Sequence, residues 1–335
     1  MIIRERKSLL KMKKRGFALL AILTMLALIV TGCGGGKSEG DKPAAAEKRF
    51  FNIATGGTAG VYYPLGGAIA EILNKNVAGA NAKVQSTGAS VANVNMLTQG
   101  NVQIAFVQND IAYYAANGTE MFKDKKVDSL KALATIYPET VQLVTLEKSG
   151  IKNVADLKGK KVAVGAAGSS VTANAKHVLE ANNMTFEDID EQYLSFAEAA
   201  SGLKDGNIDA AFVTAGVPTA AIQDIIAQHK VVVVPVTAEM ADKMIAKYPF
   251  YTKVVIPADA YKQAKDVETV GTKAMLVVTD KMDEQTAYDI TKAVFTNVDQ
   301  LKAAHAVGQY ISKENAKSGI SIPMHPGAEK FFNEK

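Results

Sequence analysis

Three observations predict an α/β protein made of two facing lobes. Short apolar strands alternate with helices of amphipathic spacing, the pattern of a parallel sheet covered by helices. A strand-loop-helix pattern recurs at a spacing of about 106 to 109 residues, as an internal duplication does. Two extended apolar segments fit crossovers, one leading from the first lobe to the second and one leading back.

The chain opens on a basic cluster, Lys11, Lys13, Lys14 and Arg15, followed by fifteen uncharged, mostly apolar residues at 16–30 and then Val30-Thr31-Gly32-Cys33. The run is short of the ~20 residues that a membrane-crossing helix needs. It resembles a bacterial lipoprotein signal peptide (1–32). That resemblance implies cleavage before Cys33, a diacylglyceryl thioether on its sulfur, and a protein held on the outer face of a membrane, periplasmic or extracellular. Residues 33–48 are then the lipidated cysteine and a solvated tether rich in Gly, Lys, Glu and Ala. Gly36-Lys37-Ser38 imitates the end of a phosphate-binding loop, but Thr31 stands where the first glycine is required, and no strand and helix frame it.

Removing the leader leaves 303 residues and turns a formal charge of +4 into about −2, because seven basic residues and one acid precede Cys33. This balance gives no support to nucleic acid as a partner. Cys33 is the single cysteine, so no disulfide is available and stability rests on packing. Arg49 is the only arginine beyond the leader. Any anionic ligand must therefore be held by lysine, helix N-termini, backbone N–H groups and hydroxyls rather than by a guanidinium fork.

From Arg49 onward, residues 50–55 read as a strand, 63–74 as a helix, 83–86 as extended, 91–98 as a helix and 104–108 as a buried strand. The segment Gly100-Asn101-Val102-Gln103-Ile104-Ala105-Phe106-Val107 recurs as Gly206-Asn207-Ile208-Asp209-Ala210-Ala211-Phe212-Val213. Upstream, Ile53-Ala54-Thr55-Gly56-Gly57-Thr58 corresponds to Val162-Ala163-Val164-Gly165-Ala166-Ala167-Gly168-Ser169. Residues 132–146, with Tyr137-Pro138-Glu139-Thr140 between two apolar strands, fit the outward crossover; the segment after Tyr248-Pro249-Phe250 toward 274–279 fits the return. Helices near 284–296 and 298–305 rejoin the first lobe. The expected division is 49–140 plus 255–335 for lobe one and 141–254 for lobe two.

Three loops fall where strands end and helices begin, at 55–64, 86–90 and 168–172. Open parallel sheets bind ligands at such ends, glycine lets backbone approach a ligand, and a helix start accepts an anion. The spacing of a dinucleotide fingerprint is absent. No enzyme constellation emerges: His177, His229, His305 and His325 are scattered, with none at metal-ligand spacing, and His177 reads as a packing residue. No cofactor or metal is expected.

Several motifs are similar to one family. They are Thr55-Gly56-Gly57-Thr58-Ala59-Gly60-Val61-Tyr62-Tyr63-Pro64-Leu65-Gly66, Ser86-Thr87-Gly88-Ala89-Ser90-Val91-Ala92-Asn93, Phe106-Val107-Gln108-Asn109-Asp110, Tyr137-Pro138-Glu139, Leu194-Ser195-Phe196-Ala197-Glu198-Ala199, Ala215-Gly216-Val217-Pro218-Thr219 and Ile322-Pro323-Met324-His325-Pro326-Gly327-Ala328-Glu329. Together they resemble the TAXI family, solute-binding proteins of tripartite ATP-independent periplasmic (TRAP) transporters. The resemblance implies a type II periplasmic binding protein fold, two α/β lobes joined by a two-crossover hinge with an interlobe cleft, and no enzymatic activity. It implies capture of a small acidic solute (glutamate, glutamine or a dicarboxylate such as 2-oxoglutarate) by clamshell closure, and delivery by a monomer to TRAP membrane subunits. By position, Gly57, Thr58, Tyr62, Ser86, Thr87, Gly88, Ser90, Asn93, Gln108 and Asp110 form one wall. Tyr137 lies at the hinge, and Gly168, Ser169, Ser170, Thr172, Phe196, Thr214, Gly216 and Pro218 form the other wall. Ala167-Gly168-Ser169-Ser170 departs from the family's Pro-Gly-Ser-Gly. A ligand-sensing surface lipoprotein and a phosphoribosyltransferase-like enzyme are the alternatives.

Overall fold

The computed structural model describes residues 48–334. The basic cluster, the apolar run, Cys33 and nearly all of the tether lie outside the described residues.

The first lobe opens with β1 (Arg49–Ala54), α1 (Tyr62–Asn76), β2 (Ala80–Gln85), α2 (Ser90–Thr98), β3 (Ile104–Gln108) and α3 (Asn109–Asn117). A single long strand, β4 (Leu130–Leu146), then leads into β5 (Lys161–Ala163), α4 (Val171–Ala181), β6 (Asp190–Gln192), α5 (Phe196–Asp205), β7 (Ala210–Ala215), α6 (Ala220–Ile226), β8 (Val231–Val234) and α7 (Ala238–Lys247). The chain returns through β9 (Thr252–Ile256) and the long β10 (Val267–Thr279), and ends with α8 (Glu284–Thr296), α9 (Val298–Ala304) and α10 (Pro326–Asn333).

The sheet order is β2-β1-β3-β10-β4-β7-β5-β6, with β8 beside β4 and β9 beside β10. Strands β2, β1 and β3 are parallel, as are β6, β5 and β7, so the duplication in sequence is a duplication of one βαβαβ unit. The sheet is nonetheless mixed and not purely parallel, because both crossovers run antiparallel to their neighbours. Along β4, residues up to Thr140 pair with β10, and from Thr140 onward the strand pairs with β7. The strand thus changes partner at Thr140, which lies opposite Gly271. Gly271 is required there, since a Cβ would lie 2.7 Å from the Glu139 carbonyl oxygen and 2.8 Å from Val254.

Local sequence explains these elements. Strands β3 and β7 are buried along their whole length, which is why they read as unbroken apolar runs. Helix α1 buries Leu65, Ile69, Ile72 and Leu73 on one face, the spacing of an amphipathic helix. It lies close to the sheet because a Cβ on Gly66 would come within 2.5 Å of Thr55 Cγ2. In the second lobe Val162, Val164, Val178, Leu179 and Phe212 share a core. The sequence reads as two apolar strands with Tyr137-Pro138-Glu139-Thr140 between them. In the structure β4 runs through this segment, with Pro138 in register opposite Lys273 and the register shift one step away, at Ile136 between Ala274 and Met275.

Candidate functional site

The carboxyl ends of the parallel strands in both lobes face one cavity. It holds about 70 Å³ of space reachable by the centre of a water molecule. At ~10–15 Å³ per water that is room for about five to seven waters, the scale of a small metabolite. Five helices start on its lining: Gly60, Val61 and Tyr62 begin α1, Gly88 and Ala89 begin α2, Gln108 precedes α3, Ser169, Ser170 and Val171 begin α4, and Ser195 and Phe196 begin α5. The starts of α1, α2 and α4 have neither a side-chain cap nor an acid in the first turn, whereas α3 carries Asp110 in its first turn and α5 is capped by Ser195 with Glu198 behind it. Away from the cavity, Thr237 caps α7, Asp283 α8 and His325 α10, while α6 and α9 have no side-chain cap. The uncapped starts of α1, α2 and α4 leave backbone N–H groups and the positive ends of helix dipoles directed at the cavity.

The lobes touch across this cavity. At the start of α2, the N–H groups of Val91 and Ala92 donate to the Gly168 carbonyl at 3.0 and 3.1 Å. A Cβ on Gly88 would lie 2.6 Å from the Ala167 carbonyl oxygen, so only glycine permits that approach. The Ala221 N–H donates to the Ala59 carbonyl at 3.2 Å, and Lys176 pairs with Glu120 at 3.2 Å. The α2 start is thus occupied by the opposite lobe, leaving α1 and α4 open to a ligand.

The electrostatics are unusual. Among the described residues no lysine, arginine or histidine lines the cavity, yet Glu139 does, and it is only 2% exposed. Tyr62 donates to one of its oxygens at 2.9 Å and Tyr137 to the other at 3.1 Å. Burial lifts the Glu139 carboxyl to about 8 against the opposing pull of these hydrogen bonds. Three buried polar atoms on the lining, Gln108 Oε1, Ser169 Oγ and Thr214 Oγ1, have no hydrogen-bond partner within the protein. Buried polar groups are normally paired, so these three atoms point to a ligand.

Of the residues expected from sequence, Gly57, Tyr62, Thr87, Gly88, Gln108, Ser169, Ser170, Phe196 and Thr214 line the cavity. The others do not, and most of them tie the loops together. Thr58 is exposed, and the exposed Ser86 donates to the Gly56 carbonyl. Ser90 Oγ accepts from the Gln108 N–H, while Asn93 bridges the carbonyls of Thr55 and Phe106. Tyr137 sits behind Glu139, Gly168 supplies the interlobe carbonyl, and Thr172 donates to the Val164 carbonyl. Gly216 accepts from Thr219 Oγ1 and abuts Val307 and Tyr137; Pro218 follows a cis bond outside the cavity. Asp110 is fully buried and bonds across the lobes to Asn174 at 3.0 Å, which in turn donates to Tyr251. Burial raises the Asp110 carboxyl to about 7. His177 packs against Tyr248 with ring centroids 3.8 Å apart.

The lining also includes Gly56, Gly60, Val61, Ala89 and Val171, which lie in the three loops the sequence pointed to, Ala215 beside the expected Thr214, and Glu139, Ala166 and Ser195, which the sequence did not single out. Glu139 had a signal: it is the one acid in the long apolar segment 130–146, and a carboxylate is seldom fully buried without a task. Among the described residues no group of His, Cys, Asp and Glu could hold a metal ion, and no helix is long and apolar enough to cross a membrane.

A model of the NMT1-like family matches residues 53–335. Among solved structures, a protein from Bordetella bronchiseptica RB50 aligns at 18% identity over 85% of this chain and 89% of its own, with a TM-score of 0.55. A candidate L-cystine ABC transporter protein from Listeria monocytogenes aligns at 17% identity over 80% of this chain and 99% of its own, with a TM-score of 0.50. The periplasmic aliphatic sulphonate binding protein SsuA of Escherichia coli aligns at 17% identity over 78% of this chain and 80% of its own, with a TM-score of 0.44. The mixed α/β fold is the one shared with the B. bronchiseptica and L. monocytogenes proteins.

Proposed function

The chain belongs to the NMT1-like family, and from that premise we propose that it is an extracytoplasmic solute-binding protein, not an enzyme, which delivers a small solute to a membrane transporter. The observation that carries this reading is the cavity itself: it lies between two lobes, holds the uncapped starts of α1 and α4, and is lined by unpartnered polar atoms. A ligand carboxylate is received by the starts of α1 and α4, each contributing on the order of 0.3 to 1 kcal/mol when exposed and up to ~2 kcal/mol when partly buried. Ser169 and Ser170 add hydroxyl donors, and Tyr62 and Phe196 cover the aliphatic part. Such contacts come from both lobes, so the ligand stabilises the closed form.

The finer reading follows the sequence motifs. The protein is a TAXI member serving a TRAP transporter, binds glutamate, glutamine or a related dicarboxylate, and acts as a monomer tethered through lipid on Cys33. Residues 49–140 with 255–335 move as one lobe and 141–254 as the other, about the switch at Thr140 and Gly271. An ATP-driven permease is the second reading, favoured by the name of the L. monocytogenes protein of the same fold. Titration calorimetry against L-glutamate, L-glutamine, 2-oxoglutarate and L-cystine tests the ligand class. Saturable binding of one of the first three supports it; binding of L-cystine alone overturns it. Uptake into proteoliposomes without ATP separates the two transporter types.

A further inference from the structure

We propose that Glu139 reads an ammonium group on the ligand, so that this cavity selects an α-amino acid over a keto acid or a plain dicarboxylate of the same length. The proposal rests on the binding function above and sharpens its ligand class. Its ground is an imbalance in the lining. The cavity contains a buried carboxyl group, and no cation among the lining residues answers it. Glu139 also forms no ion pair among the described residues. A buried acid without a counter-charge is costly, and here it faces the space a solute would fill.

Other polar atoms on the lining suit an ammonium. Tyr62 and Tyr137 each place one hydroxyl on a different Glu139 oxygen, which orients the carboxylate and leaves further lone pairs on both oxygens. Gln108 Oε1 and Thr214 Oγ1 are buried acceptors without partners on the same lining. An ammonium has three donors, and the lining supplies three acceptor groups for them. The open starts of α1 and α4 carry the opposite polarity, so the cavity as a whole matches a zwitterion.

The proton balance follows. With its carboxyl near 8, Glu139 is protonated in about 90% of ligand-free molecules at pH 7. An arriving ammonium keeps its own proton and favours the carboxylate, so the Glu139 proton leaves to the buffer. The groups facing Glu139 are Tyr62 from α1, Gln108 at the end of β3, Tyr137 on its own strand and, at longer range, Asp110 from α3; none is a cation.

The test is calorimetry on the full chain at pH 7 with L-glutamate, L-glutamine, glutarate and 2-oxoglutarate, repeated in buffers of different ionisation enthalpy. The expected result is that at least one of the two amino acids binds tenfold or more tightly than glutarate and releases between half and one proton. Glu139→Gln should weaken that amino acid 10- to 100-fold and narrow its advantage over glutarate to within about threefold. If that variant does not fold, the wild-type preference and proton count decide. Equal or tighter binding of glutarate or 2-oxoglutarate, or a preference that survives Glu139→Gln, overturns the ammonium assignment while leaving the acidic-solute function intact. Binding of none of the four overturns both.

Discussion

Gly88→Ala offers a direct probe of closure. Gly88 has no left-handed backbone angle, so alanine is tolerated there by its own conformation. The added Cβ would nevertheless sit 2.6 Å from the Ala167 carbonyl oxygen of the opposite lobe, well inside any real carbon–oxygen contact. Backbone cannot swing aside as a side chain can, so the lobes must stand farther apart. The first hydrogen bonds to break are those from the Val91 and Ala92 N–H groups to the Gly168 carbonyl, at 3.0 and 3.1 Å. Each is worth about 0.5–1.5 kcal/mol net, so the closed form is weakened by about 1–3 kcal/mol and affinity falls roughly 5- to 150-fold. Calorimetry reads the affinity, and small-angle scattering with saturating ligand reads the separation of the lobes. Stability without ligand should change by less than about 0.5 kcal/mol, since the open form does not bring Gly88 against Ala167. Unchanged affinity together with an unchanged radius of gyration would refute the closure argument.

Three further outcomes are expected. Ala89 lines the cavity with φ 74° and ψ −146°, a region suited to glycine that costs an alanine about 1–3 kcal/mol; Ala89→Gly should raise stability by about 1 kcal/mol after glycine's own entropy cost, and a lowered denaturation midpoint would contradict this. Burial lifts Glu139 from 4.5 to about 8, so the ligand-free folded chain keeps a proton that the unfolded chain sheds, and stability falls as pH rises between about 5 and 8. Urea titrations should show that fall shallower by on the order of 3 kcal/mol in Glu139→Gln, Asp110 acting in the same direction in both proteins; equal slopes would count against it. Cys33→Ala should give a chain that leaves the membrane fraction yet binds its solute with unaltered affinity, and retention in that fraction would argue against a lipid tether.

The parts legible in the sequence were those governed by local pattern. Strand 104–108 and its repeat at 210–215 are buried on both faces, so they stand out as apolar runs, and the glycine-rich turns before Tyr62 and Val171 announce helix starts. What escaped depends on residues distant in the chain. Glu139 joins the cavity because Tyr62, 77 positions earlier, is folded onto it. Asp110 leaves the ligand wall because Asn174, 64 positions later, reaches it across the cleft. Ser86 and Asn93 look like ligand donors in a helix-start motif, yet they hold the loops that shape the site. Short polar side chains serve either purpose, and only the fold decides which.

The most direct measurement is a crystal structure of the protein with L-glutamate bound. The ligand should lie in the cavity between the lobes, with its α-carboxylate against the starts of α1 and α4 and its nitrogen within hydrogen-bond distance of Glu139. Density outside that cavity, or a carboxylate in place of the nitrogen at Glu139, would contradict the account.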